Sequence, residues 1–131
     1  MVNNACPCSG NTLDRLVRPS VMAVLARHPE GLHGYALTQQ LSGLAIFHEI
    51  PPDTTGLYRV LKAMELEGYL ESNWQIDTSG PARKVYTLTQ PGWGCLQQWL
   101  GTLQVYAQNL SSTLEYIEES LGASTANSAP E

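Results

Sequence analysis

The sequence predicts a mainly α protein with one small β-hairpin and a long helix after it. Three observations carry this. Between Leu13 and Leu66, three short stretches place apolar residues at helical intervals of three and four. An alternating stretch, a Gly-Pro turn and a Val- and Tyr-rich return follow, from Leu70 to Thr89. From Gln90 to Leu121 the helical interval resumes and holds.

Asn3 to Thr12 is small, polar and turn-rich, and residues 1–12 are expected to form an irregular arm that contains Cys6 and Cys8. Leu13, Leu16, Val17, Val21, Val24 and Leu25 mark the first helix. Pro19 interrupts them: either the helix begins there with proline at its first position, or a short preceding helix is kinked. His28-Pro29-Glu30-Gly31 breaks the chain, and Tyr35, Leu37, Leu41 and Leu44 mark a second helix of about ten residues. Pro51-Pro52 forces the next link to be extended.

Asp53, Thr54 or Thr55 can cap the third helix, because a short side-chain oxygen satisfies free N–H groups at a helix start. Its apolar stripe is Leu57, Tyr58, Leu61, Met64 and Leu66, and Gly68 ends it. Tyr58 could face core or solvent; the stripe favours core. The hairpin's first strand sets Leu70, Ser72, Trp74 and Ile76 against Glu71, Asn73, Gln75 and Asp77, the pattern of a half-buried strand. Thr78-Ser79-Gly80-Pro81 turns, and Arg83 to Thr89 returns. Thr89 can cap the last helix, whose apolar positions are Leu96, Trp99, Leu103, Tyr106, Leu110, Leu114, Ile117 and Leu121. By composition Ala123 to Glu131 is a disordered tail. The expected division is therefore an arm (1–12), a domain of helices and hairpin (13–89), a long helix (90–121) and a tail (122–131).

The 131 residues suit one domain, and 43% hydrophobic content suffices for one core. Only 15% are charged, against roughly 25% in an average soluble domain, so a partner is expected to cover part of the surface, most simply a second copy. No apolar run approaches a membrane span, and Met1 to Gly10 lacks a basic region followed by an apolar stretch. Three cysteines make no disulfide framework, so a cytoplasmic protein without membrane association is expected.

The net charge of −5 argues at first against nucleic acid, but its distribution does not. Pro91 to Glu131 contains no Lys or Arg and four carboxylates, whereas Arg59, Lys62, Arg83 and Lys84 cluster in two short places. Phosphate binding depends on such a local patch and not on the whole-chain sum. The patch is small, so affinity should be modest and strongly salt-dependent.

Three short helices, a hairpin and one long helix form the order of a winged helix-turn-helix with an added C-terminal dimerisation helix. Within that order, Gly34-Tyr35-Ala36-Leu37, the run Thr55-Gly56-Leu57-Tyr58-Arg59-Val60-Leu61 through Leu66-Glu67-Gly68-Tyr69-Leu70, and Gly80-Pro81-Ala82-Arg83-Lys84-Val85-Tyr86-Thr87-Leu88-Thr89 followed by Gly92 resemble three segments of the PadR family of transcriptional regulators. The likeness spans roughly Leu13 to Leu121, and three weak motifs in the right order are fairly specific together. It implies a homodimeric repressor of a palindromic operator in double-stranded DNA, often released by a small effector near the dimer interface. The Cys-Pro-Cys arm and Pro91 depart from the family pattern.

With the stripe turned inward, Arg59 and Lys62 share a face of the third helix with Thr54 and Thr55 at its start. A helix in the major groove reads bases from its N-terminal part, where Arg can bond guanine bidentately. Arg83 and Lys84 beside a Gly-Pro turn suit a wing placed on phosphate or in the minor groove, and Tyr35 and Thr38 could also bond phosphate. Leu103, Ala107, Leu110, Leu114, Ile117 and Leu121 keep near the heptad period, so two such helices can form a seam. Trp93 and Trp99 could line a pocket for a small aromatic effector, though such spacing equally suits plain core. Cys6 and Cys8 offer two soft ligands which, with Cys95, suit a thiolate-bound metal, an iron–sulfur cluster or a redox sensor; an inert arm is the alternative. Three thiols are one short of a four-ligand site without His28, His33, His48 or water. A winged-helix module that binds protein instead of DNA is the rival reading. No Gly-rich phosphate loop, paired carboxylates or motif-forming histidines point to catalysis.

Overall fold

The structure, a computed structural model, describes residues 16–48, 53–76 and 80–127, with only the backbone of the last four. It is mainly helical, with a small three-stranded antiparallel sheet and one long C-terminal helix. The elements are α1 (Val17–Ala26), β1 (Leu32–His33), α2 (Gly34–Ser42), α3 (Thr54–Leu66), β2 (Leu70–Gln75), β3 (Arg83–Leu88) and α4 (Gln90–Asn127). The chain divides into two units between Leu96 and Gln97.

In the first unit Pro19 is the third residue of α1, within the first turn. The N–H that proline lacks there has no intrahelical partner in any case, so α1 tolerates it. Gly31 has φ +91 and a Cβ on it would strike Val85 and Thr87, so the turn into β1 requires glycine. β1 was not expected from the sequence. It pairs Leu32 with Tyr86 and His33 with Val85, giving the sheet order β1-β3-β2. Two residues carry no periodicity to read.

α2 ends at Ser42, so Leu44, placed by the sequence on this helix, lies beyond it. A 3-10 turn, Ala45–Phe47, then turns Phe47 into the core. Asp53 caps α3, its Oδ2 accepting from the Gly56 N–H at 3.0 Å. At the other end Gly68 has φ +89 and its N–H donates to the Glu65 carbonyl while the Tyr69 N–H donates to that of Met64. This paired closure satisfies two carbonyls that a bare helix end leaves free.

Leu57, Leu61 and Met64 of α3 are buried, as are Leu37 and Leu41 of α2, Val21, Met22 and Leu25 of α1, and Leu70 of β2. Truncating one of these, such as Leu61→Ala, costs about 2–5 kcal/mol. Two members of the expected stripe are not core. Leu66 is 80% exposed, because it follows Met64 by about 200° around the helix, and Tyr58 is 44% exposed at the stripe's edge. Arg18 of α1 grips Glu67 bidentately at 2.9 and 3.0 Å, tying α1 to the end of α3.

The hairpin pairs Leu70 with Leu88 at its base and Gln75 with Arg83 at its outer end. Only the base is covered. Leu70 is buried, whereas Trp74 and Ile76, expected on the same inward face, are 65% and 83% exposed because the strand leaves the core before reaching them. Thr89 caps α4, its Oγ1 accepting from the Gly92 N–H at 3.1 Å and donating to the Gly68 carbonyl at 2.6 Å. Gly92 packs so closely on the Tyr69 carbonyl and Leu88 that a Cβ there would overlap both. This close packing keeps the first turns of α4 in the first unit, which ends at Leu96.

The second unit consists of α4 from Gln97 onward. The helix continues to Asn127, beyond the end at Leu121 and into the segment expected to be disordered. The extension runs through Gly122, a poor helix former, and Ala123 after it favours continuation.

Candidate nucleic-acid interface

The core residues of α3 determine what its other side presents. With Leu57, Leu61 and Met64 buried, Thr54, Thr55, Arg59 and Lys62 are exposed. The two cations stand three residues apart, one turn of helix, with the threonines at the helix start where free N–H groups also point outward. Arg83 and Lys84 open β3 on the hairpin beside it.

Arg83 is exposed, and its Nη1 lies 3.2 Å from Nε2 of His33. His33 also caps α2, its Nδ1 accepting from the Ala36 N–H at 3.3 Å. A neutral imidazole has one acceptor nitrogen, so the ring serves one of these donors at a time. The sequence offered no signal for His33 beyond its position before Gly34; capping by histidine is uncommon.

Lys84 is half-buried. Its Nζ lies 3.4 Å from Oε1 of Glu65 and 5.6 Å from the centre of the Tyr86 ring. The Ser72 hydroxyl donates to the other Glu65 oxygen at 2.5 Å. The Ser72 bond, then the Lys84 charge, hold the Glu65 carboxyl below its ordinary range, while burial pushes the Tyr86 hydroxyl up. Between α3 and the hairpin lies a groove of about 760 Å³, bordered by His33, Tyr58, Lys62, Trp74, Arg83 and Tyr86, with Glu65 and Lys84 among its walls.

The other expected phosphate contacts differ. Tyr35 is exposed, its hydroxyl accepting from Gln39 Nε2 at 3.2 Å and its ring lying parallel to that of His33. The Thr38 hydroxyl donates to the Gly34 carbonyl at 2.9 Å, within its own helix, so its proton is committed. Trp93 and Trp99 do not border the groove; Trp93 belongs to the first unit and Trp99, half-buried, to the second. Cys95 is a half-buried free thiol, and Cys6 and Cys8 lie outside the described residues. Among the described residues no three His, Cys, Asp or Glu side chains converge on a metal position, and no helix is long and apolar enough to cross a membrane.

On α4, Leu110, Leu114, Ile117 and Leu121 are about half exposed or more, with Leu103 partly covered. They repeat at intervals of three and four along one side of the helix.

The profile of the transcriptional regulator PadR-like family matches residues 21–98. Several solved structures share the fold. A PadR family transcriptional regulator from Eggerthella lenta is 29% identical, with 82% of this chain and 93% of that one covered and a TM-score of 0.64. A PadR-like transcriptional regulator from Bacillus cereus reaches a TM-score of 0.67 at 18% identity, over 79% of this chain and 96% of that one. A PadR family regulator from Clostridium difficile reaches 0.63 at 20% identity, over 76% and 98%. The latter two likenesses concern the fold alone. No curated protein matches the chain.

Proposed function

This chain belongs to the PadR-like family of transcriptional regulators, a family of regulators and not of enzymes, and from that premise we propose that it binds a palindromic operator as a homodimer and represses transcription in the cytoplasm until a small effector releases it. The observation that carries the DNA reading is the exposed pair Arg59 and Lys62 on a helix whose other side is core, with Arg83 on the neighbouring hairpin. In this reading α3 enters the major groove and its first two turns meet base edges. The hairpin supplies sequence-independent contacts to the backbone.

The exposed stripe of α4 supports the dimer. Leaving Leu110, Leu114 and Ile117 in water exposes a contiguous apolar band of the kind that a second copy covers. A two-fold pair then presents two reading helices to two half-sites.

The test is fluorescence anisotropy with duplexes from the region upstream of the protein's own coding sequence, against a scrambled duplex, at several salt concentrations. Tighter binding to one duplex, with a steep loss of affinity on adding salt, is expected. Equal, negligible binding to every duplex at low salt overturns the reading in favour of a winged-helix module that binds protein.

A further inference from the structure

We propose that Glu65 is a discriminating residue of the DNA face: fixed between the reading helix and the wing, it cancels the charge of Lys84 and so suppresses indiscriminate binding to phosphate. The proposal rests on the DNA-binding reading above and concerns a residue that reading leaves out.

Glu65 lies one turn beyond Lys62 on α3, in the wall of the groove where Lys62, Arg83 and Lys84 also stand. A surface glutamate ordinarily swings away from an approaching polyanion. Glu65 is held instead from two strands at once, by the Ser72 hydroxyl on β2 at 2.5 Å and by the Lys84 ammonium on β3 at 3.4 Å. Its side chain is 30% exposed, so the carboxylate faces the groove without being free to leave it. A phosphate that reaches Lys84 therefore meets a fixed negative charge within a few ångströms.

The consequences differ for the two kinds of binding. Non-specific affinity follows the number of phosphates a protein neutralises, each adding roughly 0.9 to the slope of log affinity against log salt. A carboxylate paired with one of the few cations on this face removes about one such contact. Base reading by Arg59 lies six residues, about 9 Å, back along the helix, near the screening length of physiological salt, and is little affected. Glu65 thus lowers the background more than the specific signal.

The experiment is the same anisotropy titration with Glu65→Gln, which keeps the size of the side chain and an oxygen for Ser72 but removes the charge. The expected result is a several-fold gain in affinity for the scrambled duplex, a smaller gain for the operator and a salt slope steeper by about one. Lys84→Gln alone should weaken binding to both duplexes, and adding Glu65→Gln to it should return affinity and slope to near the parent's, which a purely structural role for Glu65 does not predict. If Glu65→Gln fails to fold, the comparison of Lys84→Gln with the double variant Lys84→Gln/Glu65→Asn decides on the same terms. An unchanged slope with unchanged scrambled-duplex affinity, or weaker binding to both duplexes, overturns the proposal while DNA binding by the parent stands. Failure of the parent to bind any duplex removes the DNA reading itself.

Discussion

Tyr58 of α3 lies directly over Gly34, the first residue of α2, so close that a methyl group on Gly34 would overlap its ring and hydroxyl. The backbone of Gly34 is not in the left-handed region, so the glycine is there for space and not for conformation. Tyr58 is the immediate neighbour of Arg59, and the contact joins α2 to α3, the helix that carries Arg59 and Lys62.

Gly34→Ala should therefore displace Tyr58 and shift α3, destabilising the fold by about 1–3 kcal/mol in urea unfolding. Tyr58→Ala in the same chain should recover most of that loss, a coupling that a double-mutant cycle measures directly. Equal costs with and without Tyr58 would show that the two residues do not meet.

Arg59→Ala and Arg83→Ala should fail differently. The first should cost about 1–3 kcal/mol on the operator and relax preference at one base pair. The second should weaken all duplexes alike and flatten the salt slope by about one. Operator and point-substituted duplexes, titrated side by side, separate the two patterns.

Leu114 is 58% exposed in the single chain, at the middle of the apolar stripe of α4. Leu114→Glu should yield monomers in sedimentation, with the first unit still folded by circular dichroism. A parent protein that sediments as a folded monomer at micromolar concentration would refute the seam.

Acid should loosen the fold from two sides. Glu65 is held below its ordinary value of 4.5 chiefly by Ser72, and Glu67 chiefly by its bond to Arg18. Carboxylates so depressed bind fewer protons folded than unfolded, so their contribution is complete above the unfolded value and is lost as pH falls through the folded one. The thermal midpoint should drop below about pH 4.5. Glu67→Gln should melt lower than the parent at neutral pH and converge with it in acid.

Much of this was legible along the chain. Period-three-to-four apolar spacing located the four α-helices of the described residues, the cap at Asp53 was among three named candidates, and Gly68 marked the end of α3. The arrangement of Arg59 and Lys62 on the outer face followed once Leu57, Leu61 and Met64 were assigned to the core, because a helix has a fixed angular period. The C-terminal end of α4 was less legible, since composition describes a tail's average and not where the last turn unwinds.

Tertiary structure alone decided the rest. The sequence determined a helix-rich chain with a hairpin, a third helix with two outward cations, and a long apolar-striped helix. It could not place His33 against Arg83, fifty residues away, nor Glu65 between Ser72 and Lys84. It could not show that Trp74 and Ile76 lie beyond the reach of the core, although their alternation is that of buried residues. Local periodicity tells which way a side chain points from its own element, because that depends only on backbone geometry. What the side chain then meets depends on where the next element is packed, and that is a property of the whole fold.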